Sequence, residues 1–221
     1  MFALSGDDLA TRMLGCGDGP AAFNADATRR GCSVVSCDPI YGFDSRDIEG
    51  RIAATREQVL DQTRRHADEF VWGDTSGIHT VEELDAIRMA AMRTFLSDYP
   101  DGKAAGRYVD ASLPALPFHD GSFDLALCSH LLFLYSTQLG EAFHQLALRD
   151  LGRVATEVRV FPLLELGGTR SPFVDSAARD LSALDYDVTI ERVPYEFRRG
   201  GNEMMRIRRR AASKNCHIFS V

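Results

Sequence analysis

The sequence lacks any run of about eighteen apolar residues, the least a membrane-spanning helix needs. Its first residues, MFALSGDDLATR, carry neither the basic stretch nor the apolar core of a secretory leader. A soluble, cytoplasmic protein is expected. There is no C-x-x-C pair: Cys16, Cys32, Cys37, Cys128 and Cys216 are odd in number and scattered, with no His at finger spacing. That argues against a disulfide framework or a zinc finger and for reduced thiols. No metal-ligand cluster is visible. Positive charge is short as well: 25 Lys and Arg face 32 Asp and Glu, a formal charge of −7. The surface as a whole is therefore unsuited to tracking a phosphate backbone. With 45% hydrophobic and 26% charged residues, composition speaks against wholesale disorder and fibrous repeats. The 221 residues fit one large domain with its own core.

What is present alternates strand and helix. Residues 12 to 15 read as a short strand entering a glycine turn. Pro20 to Arg30 reads as a helix closed by Gly31, with proline and glycine at the ends that favour them. Ser33 to Cys37 is rich in β-branched residues and stops at Asp38-Pro39. From 44 to 101 the pattern is helical. Ile48, Ile52, Val59, Thr63, Ala67 and Phe70 give one amphipathic face. Thr80 and Glu83 form a capping box before a second helix, whose inward face would carry Leu84, Ile87, Ala91 and Phe95 and which Pro100 and Gly102 should end. The stretch is too long for an ordinary crossover, so it is expected to be an inserted helical layer. Strands are then predicted at 107–111, 123–129 and 155–161, with helices at 139–151 and 175–184. Val188 to Arg210 reads as an antiparallel hairpin turning at Arg199-Gly200-Gly201-Asn202. The residues from Cys216 to Val221 leave a further strand open. Together these elements predict an α/β fold with a mostly parallel sheet covered on both faces.

The chemistry concentrates around Gly15-Cys16-Gly17-Asp18-Gly19. Glycines there let the backbone turn sharply and approach a ligand, and the helix that follows offers unpaired N–H groups. A dinucleotide fingerprint would place a third glycine or an alanine at position 20, where this chain has Pro20. Asp38, at the end of the second strand, is placed to accept ribose hydroxyls, a role common to both nucleotide classes.

Through MLGCGDGP, VVSCDP, the block RYVDASLPALPFHDGSFDLALCSHLLFLYS and the terminal hairpin, the chain resembles the class I S-adenosylmethionine (SAM) dependent methyltransferases. The resemblance covers most of the chain outside 44–101. It implies a doubly wound, Rossmann-like sheet that binds SAM and releases S-adenosylhomocysteine. Gly15, Cys16, Gly17, Asp18 and Gly19 would line its methionine part, and Asp38 with Pro39 its ribose. Asp110 and the Ala111 backbone would meet the adenine edge, with Ser129 and His130 beneath the sulfonium. One departure is Met13, which stands where such enzymes often carry an acid. Asp18 is an alternative anchor for the methionine amine, with a turn role beside it. Because the first strand lies so near the beginning of the chain, the 44–101 insertion is expected to act as the roof or lid.

Other residues carry two readings each. His130 is the best titratable candidate for a catalytic base, or a satisfied core histidine. Tyr41 would touch adenine or substrate, or pack. Arg170, in the loop after the 155–161 strand, would meet a substrate carboxylate or phosphate, or lie free on the surface. His119-Asp120 sits in a turn before a strand, where a structural role is favoured. The arginines at 198, 199, 206, 208, 209 and 210 would dock an anionic partner, RNA included, or protect an edge strand. The chain has no N/D-P-P-Y/F/W run after the 123–129 strand, so nucleobase amine chemistry loses support and a small or medium acceptor is expected. A SAM-sensing module without transfer, motivated by Met13, and an NAD-linked oxidoreductase, disfavoured by Pro20, stand beside the methyltransferase reading.

Overall fold

The computed structural model describes residues 1–74 and 76–210. The stretch from Cys216 to Val221 lies outside them. Seven strands form one sheet: β1 (Arg12–Cys16), β2 (Ser33–Cys37), β3 (Tyr108–Val109), β4 (Phe123–Ser129), β5 (Ala155–Phe161), β6 (Tyr186–Arg192) and β7 (Glu203–Arg209). Their order is β3-β2-β1-β4-β5-β7-β6, with β1 to β5 parallel and β7 antiparallel to both neighbours. This is the doubly wound, mostly parallel sheet with a terminal hairpin that the sequence predicts. The chain reverses its direction of winding between β1 and β4, the switch point at which open α/β sheets bind ligands outside the strand carboxyl ends.

The helices are α1 (Gly6–Leu9), α2 (Phe23–Arg29), α3 (Ser45–Arg65), α4 (Val81–Ala104), α5 (Ser136–Val154) and α6 (Val174–Ala183). Helix α2 starts at Phe23 rather than Pro20. On one face of the sheet Leu14, Cys16, Ala126, Cys128, Val158 and Val160 pack against Leu148, Leu151 and Ala177. On the other, Met13, Val34, Leu125 and Leu127 meet Phe23 and Ala27, and Phe2, Leu4 and Leu9 from the N-terminal segment. Buried Arg159 fastens that segment, donating to the Phe2 carbonyl at 2.9 Å and pairing with Asp8 at 2.8 Å.

The long connection between β2 and β3 departs from expectation in three ways. Helix α3 ends at Arg65, and a short 3-10 turn at Ala67–Glu69 follows it. Val59 and Ile87, expected inward, are exposed, while Leu60, Tyr99 and Gly102 join Ile48, Thr63, Leu84 and Phe95 among the buried positions. Thr80 does cap α4, accepting the Glu83 N–H at 3.1 Å, but that helix runs through Pro100 to Ala104. An exposed proline in the last turns forfeits one backbone hydrogen bond, and tertiary contacts outweigh it. The Tyr99 hydroxyl donates to the Tyr41 and Phe43 carbonyls at 2.8 and 2.9 Å, and the Lys103 ammonium to Tyr41 at 2.6 Å. Gly102 lets the Tyr108 ring approach so closely that a Cβ would lie 2.4 Å from it. The stop is Gly106 (φ +75°): its N–H reaches the Lys103 carbonyl at 3.0 Å and the Arg107 N–H reaches Gly102 at 2.8 Å, a Schellman cap. Helix α4 also packs against α2 and β3 and so serves as the crossover, leaving α3 and residues 66–80 as the addition. No helix among the described residues is long and apolar enough to cross a membrane.

Candidate functional site

The glycine loop leaves β1 at the switch point. Gly17 takes φ +71° and Gly19 φ +57°, the left-handed region that only glycine visits cheaply. A Cβ on Gly17 would also lie 2.5 Å from Leu131 Cδ2. Gly15 is required by its own loop, because a Cβ there would meet the Asp18 carboxylate at 1.9 Å.

Asp38 ties the loop to the end of β2. One carboxylate oxygen accepts the Gly19 N–H and the other the Ile40 N–H, each at 2.9 Å. Pro39 opens the 3-10 turn Pro39–Gly42 that Asp38 caps. The Tyr41 hydroxyl donates to the Gly19 carbonyl at 2.8 Å. Tyr41 is buried against Phe95, Tyr99 and Tyr108, so it is the loop's packing support and the substrate-contact reading is corrected. Asp110 is exposed, with its carboxylate against Gly42, and Ala111 is half-buried beside it.

Asp18 is half-buried. It accepts the Ser36 hydroxyl at 2.6 Å, while burial and the neighbouring Asp38 charge push its pKa up to about 6 in spite of that bond. Behind it runs a buried chain. Asn24 donates to Ser36 at 3.1 Å and accepts from Arg107 at 2.5 Å, and Arg107 pairs with Asp98 of α4 at 2.9 Å. Ser36 and Asn24 were not singled out in the sequence; the only signal was a serine inside an otherwise apolar strand.

From the end of β4, Ser129 and His130 face the glycine loop across a cavity of about 600 Å³, lined also by Gly17, Asp18, Leu127 and the N-terminal residues Met1 to Leu4. That volume suits a small ligand. The N-terminal segment thus walls the side that the sequence reading left to the insertion. His130 is not a core residue. It is exposed with φ +53°, and its Nδ1 lies 2.7 Å from the Ser129 hydroxyl. Desolvation by the surrounding protein, then the charges of Arg88 and Arg198, push its pKa down to about 4. Both influences favour the neutral imidazole.

The insertion crosses toward the β6–β7 connection. The Val71 N–H donates to the Phe197 carbonyl at 2.7 Å and the Arg199 N–H to Glu69 at 2.9 Å. Arg198 pairs with Glu69, and Phe70 and Trp72 pack on Phe197.

Several expected residues stand apart. The Cys16 side chain points into the core, so only its backbone belongs to the loop. Arg170 pairs with Asp175 at 3.1 Å. Asp120 pairs with Arg153 at 2.9 Å in the turn before β4, a structural role. The arginine run is largely neutralised. Arg206 and Arg208 share Glu157 at 2.7 and 2.5 Å, and Arg210 pairs with Asp187 at 2.8 Å. No group of three or more His, Cys, Asp and Glu among the described residues is arranged to hold a metal ion.

No family model matches the chain. Among curated proteins it is 31% identical over 214 residues to the uncharacterized protein MJ0045 of Methanocaldococcus jannaschii, covering 95% of this chain and 90% of that one. Three solved structures are similar at lower levels. The magnesium protoporphyrin IX methyltransferase of Synechocystis with bound SAM has 9% identity and TM-score 0.47, over 90% of this chain and 70% of that one. A SAM-dependent methyltransferase of Methanosarcina mazei has 10% identity and TM-score 0.48, over 91% and 93%. A TehB-like SAM-dependent methyltransferase of Corynebacterium glutamicum has 12% identity and TM-score 0.48, over 91% and 81%.

Proposed function

We propose that this chain, which belongs to the same family as protein MJ0045 of M. jannaschii, is a SAM-dependent methyltransferase acting on a small molecule. The observation that carries the reading is convergence at the switch point. Gly17 and Asp18 of the glycine loop and the Ser129–His130 corner after β4 line one cavity of about 600 Å³, and Asp38 at the end of β2 is bonded to that same loop through the Gly19 N–H. The residues present fit SAM: Gly19 leaves open space beside the loop, and Asp38 retains lone pairs for ribose hydroxyls beyond the two backbone bonds it accepts. Asp110 and Ala111 lie past the end of β3, where the adenine edge would rest. Asp18 lines the cavity and would take the part of the acid absent at Met13, holding the methionine ammonium.

When bound, SAM supplies a sulfonium primed to release its methyl group by in-line displacement. The protein's task is to align the acceptor and exclude water. The N-terminal segment closes one side of the cavity. Neutral His130, steadied by Ser129, would accept a hydrogen bond from the nucleophile's hydroxyl or amine and hold its lone pair toward the methyl group. With a pKa near 4 it orients the nucleophile more readily than it stores its proton.

A SAM-binding module without transfer is the second reading, favoured by the fully buried Met13. Turnover separates the two: release of S-adenosylhomocysteine in the presence of an acceptor supports transfer. Thermal shift with SAM and with NAD tests the cofactor itself, because a ligand of the native state raises apparent stability by mass action. A shift with NAD and none with SAM would overturn the proposal.

A further inference from the structure

Among the described residues six arginines are at least partly buried: Arg88, Arg107, Arg153, Arg159, Arg198 and Arg206. Five are spent on carboxylates. Arg107 pairs with Asp98, Arg153 with Asp150, Arg159 with Asp8 and Glu157, Arg198 with Glu69, and Arg206 with Glu157. Arg88, on α4, makes no hydrogen bond or ion pair with any described residue. Asp85, the acid one turn before it on α4, is already held by Arg56 through bonds of 3.1 and 2.5 Å. Arg88 is half-buried, and a fold that pairs its other sheltered arginines has left this one free.

Its surroundings indicate what would pair with it. Arg88 lines a cavity of about 230 Å³ between α3 and α4, walled by Ile40, Ile52, Leu60, Met89 and Met92 and reaching Pro20 beside the glycine loop, with Arg51 and the Arg56–Asp85 ion pair also on its wall. Methionine walls adapt to flat or irregular apolar bodies. On its other side Arg88 is near enough to Tyr195 and His130 to influence the ionisation of both. Burial lowers the Arg88 pKa against the opposing influence of Tyr195 and Asp85. Arg198, although paired with Glu69, acts on His130 with the same sign as Arg88.

We propose that Arg88 is an oxyanion-binding residue for the methyl acceptor, which is therefore a small molecule with an apolar body and a carboxylate or phosphate group. The proposal rests on the methyltransferase reading for the word acceptor, while the binding event can be measured without it. The planar fork of arginine matches either anion through two parallel hydrogen bonds. The apolar body would lie against Met89 and Met92, with the nucleophile turned toward His130.

The test is calorimetric titration of the full chain, with and without saturating S-adenosylhomocysteine, using benzoate, phenyl phosphate and the neutral benzyl alcohol. The wild type should bind at least one anion more tightly than the alcohol, and the preferred anion distinguishes carboxylate from phosphate. Arg88→Met should weaken anion binding at least tenfold and leave the alcohol and S-adenosylhomocysteine unchanged. Arg88→Lys, which keeps the charge without the fork, should fall between and guards against a folding defect in the first variant. Absence of anion binding to the wild type, or equal anion affinity in Arg88→Met, overturns the subsite. Failure of S-adenosylhomocysteine to bind, with the Arg88-dependent anion binding intact, overturns the methyltransferase reading instead.

Discussion

The Asp38 carboxylate meets the Gly19 backbone N–H at 2.9 Å, joining the carboxyl ends of two neighbouring strands. Its other oxygen takes the Ile40 N–H, so one side chain fixes both the glycine loop and the turn after β2. Asp38→Ala should weaken S-adenosylhomocysteine binding by about 1–3 kcal/mol, the cost of leaving polar partners unpaired. Calorimetry on the folded variant checks this, and unchanged affinity would remove Asp38 from the site.

Asp18 gives stability a pH dependence of known sign. Its folded pKa of about 6 exceeds the reference 3.8. The native state therefore binds more protons between these values, and this group's stability contribution is lost as pH rises through the window. Asp18→Asn should raise Tm at pH 8, by an amount on the order of 1–3 kcal/mol in stability, and have little effect at pH 4. The same variant should bind S-adenosylhomocysteine more weakly, since the ammonium loses its carboxylate. Equal Tm values at pH 8 would show that the carboxylate carries no penalty.

Gly17 is constrained twice, by its φ of +71° and by Leu131. Gly17→Val should abolish cofactor binding. Gly17→Ala should cost at least about 1 kcal/mol in urea unfolding from the backbone conformation alone, and adding Leu131→Ala should fail to restore it. Normal SAM affinity in the valine variant would make the loop purely structural.

Trp72 reports on the insertion. Its indole N–H donates to the Ala67 carbonyl at 2.7 Å, and its ring packs against Phe70 and Phe197. So fastened to the β6–β7 connection, this joint should stay in place when cofactor binds: Trp72 emission and proteolysis near it should be unchanged at saturating S-adenosylhomocysteine. A saturable spectral shift with the calorimetric midpoint would instead establish a cofactor-driven lid.

Cys37, Cys16 and Cys128 stand side by side in register on β2, β1 and β4 and are buried. Contact with Cys37 and burial raise the Cys16 thiol pKa, and burial pushes Cys128 up to about 12. Thiolates are the reactive form. In the native protein iodoacetamide should therefore label Cys32, which is half-exposed, and spare these three until denaturant is added. Mass spectrometry of peptides containing each residue reads the outcome.

The sequence by itself determined the sheet and the place of the loop. The β-rich runs at Ser33–Cys37, Phe123–Ser129 and Ala155–Phe161 are strands at those bounds, because short apolar runs between turn residues have few other stable uses. Gly17, Gly19 and Asp38 were legible because a left-handed turn and a strand-end acid each restrict the residue types that can serve. Tertiary structure decided the rest. Pro100 and Gly102 read locally as a stop, yet the bonds of Tyr99 and Lys103 and the approach of Tyr108 carry α4 past them. Tyr41 could pack or bind until its neighbours in space were known. Arg88 looks like any surface arginine in a helical sequence. Its lack of a partner emerges only from where Asp85, Arg56 and Tyr195 come to rest, since pairing depends on distances between residues far apart along the chain, which local patterns do not encode.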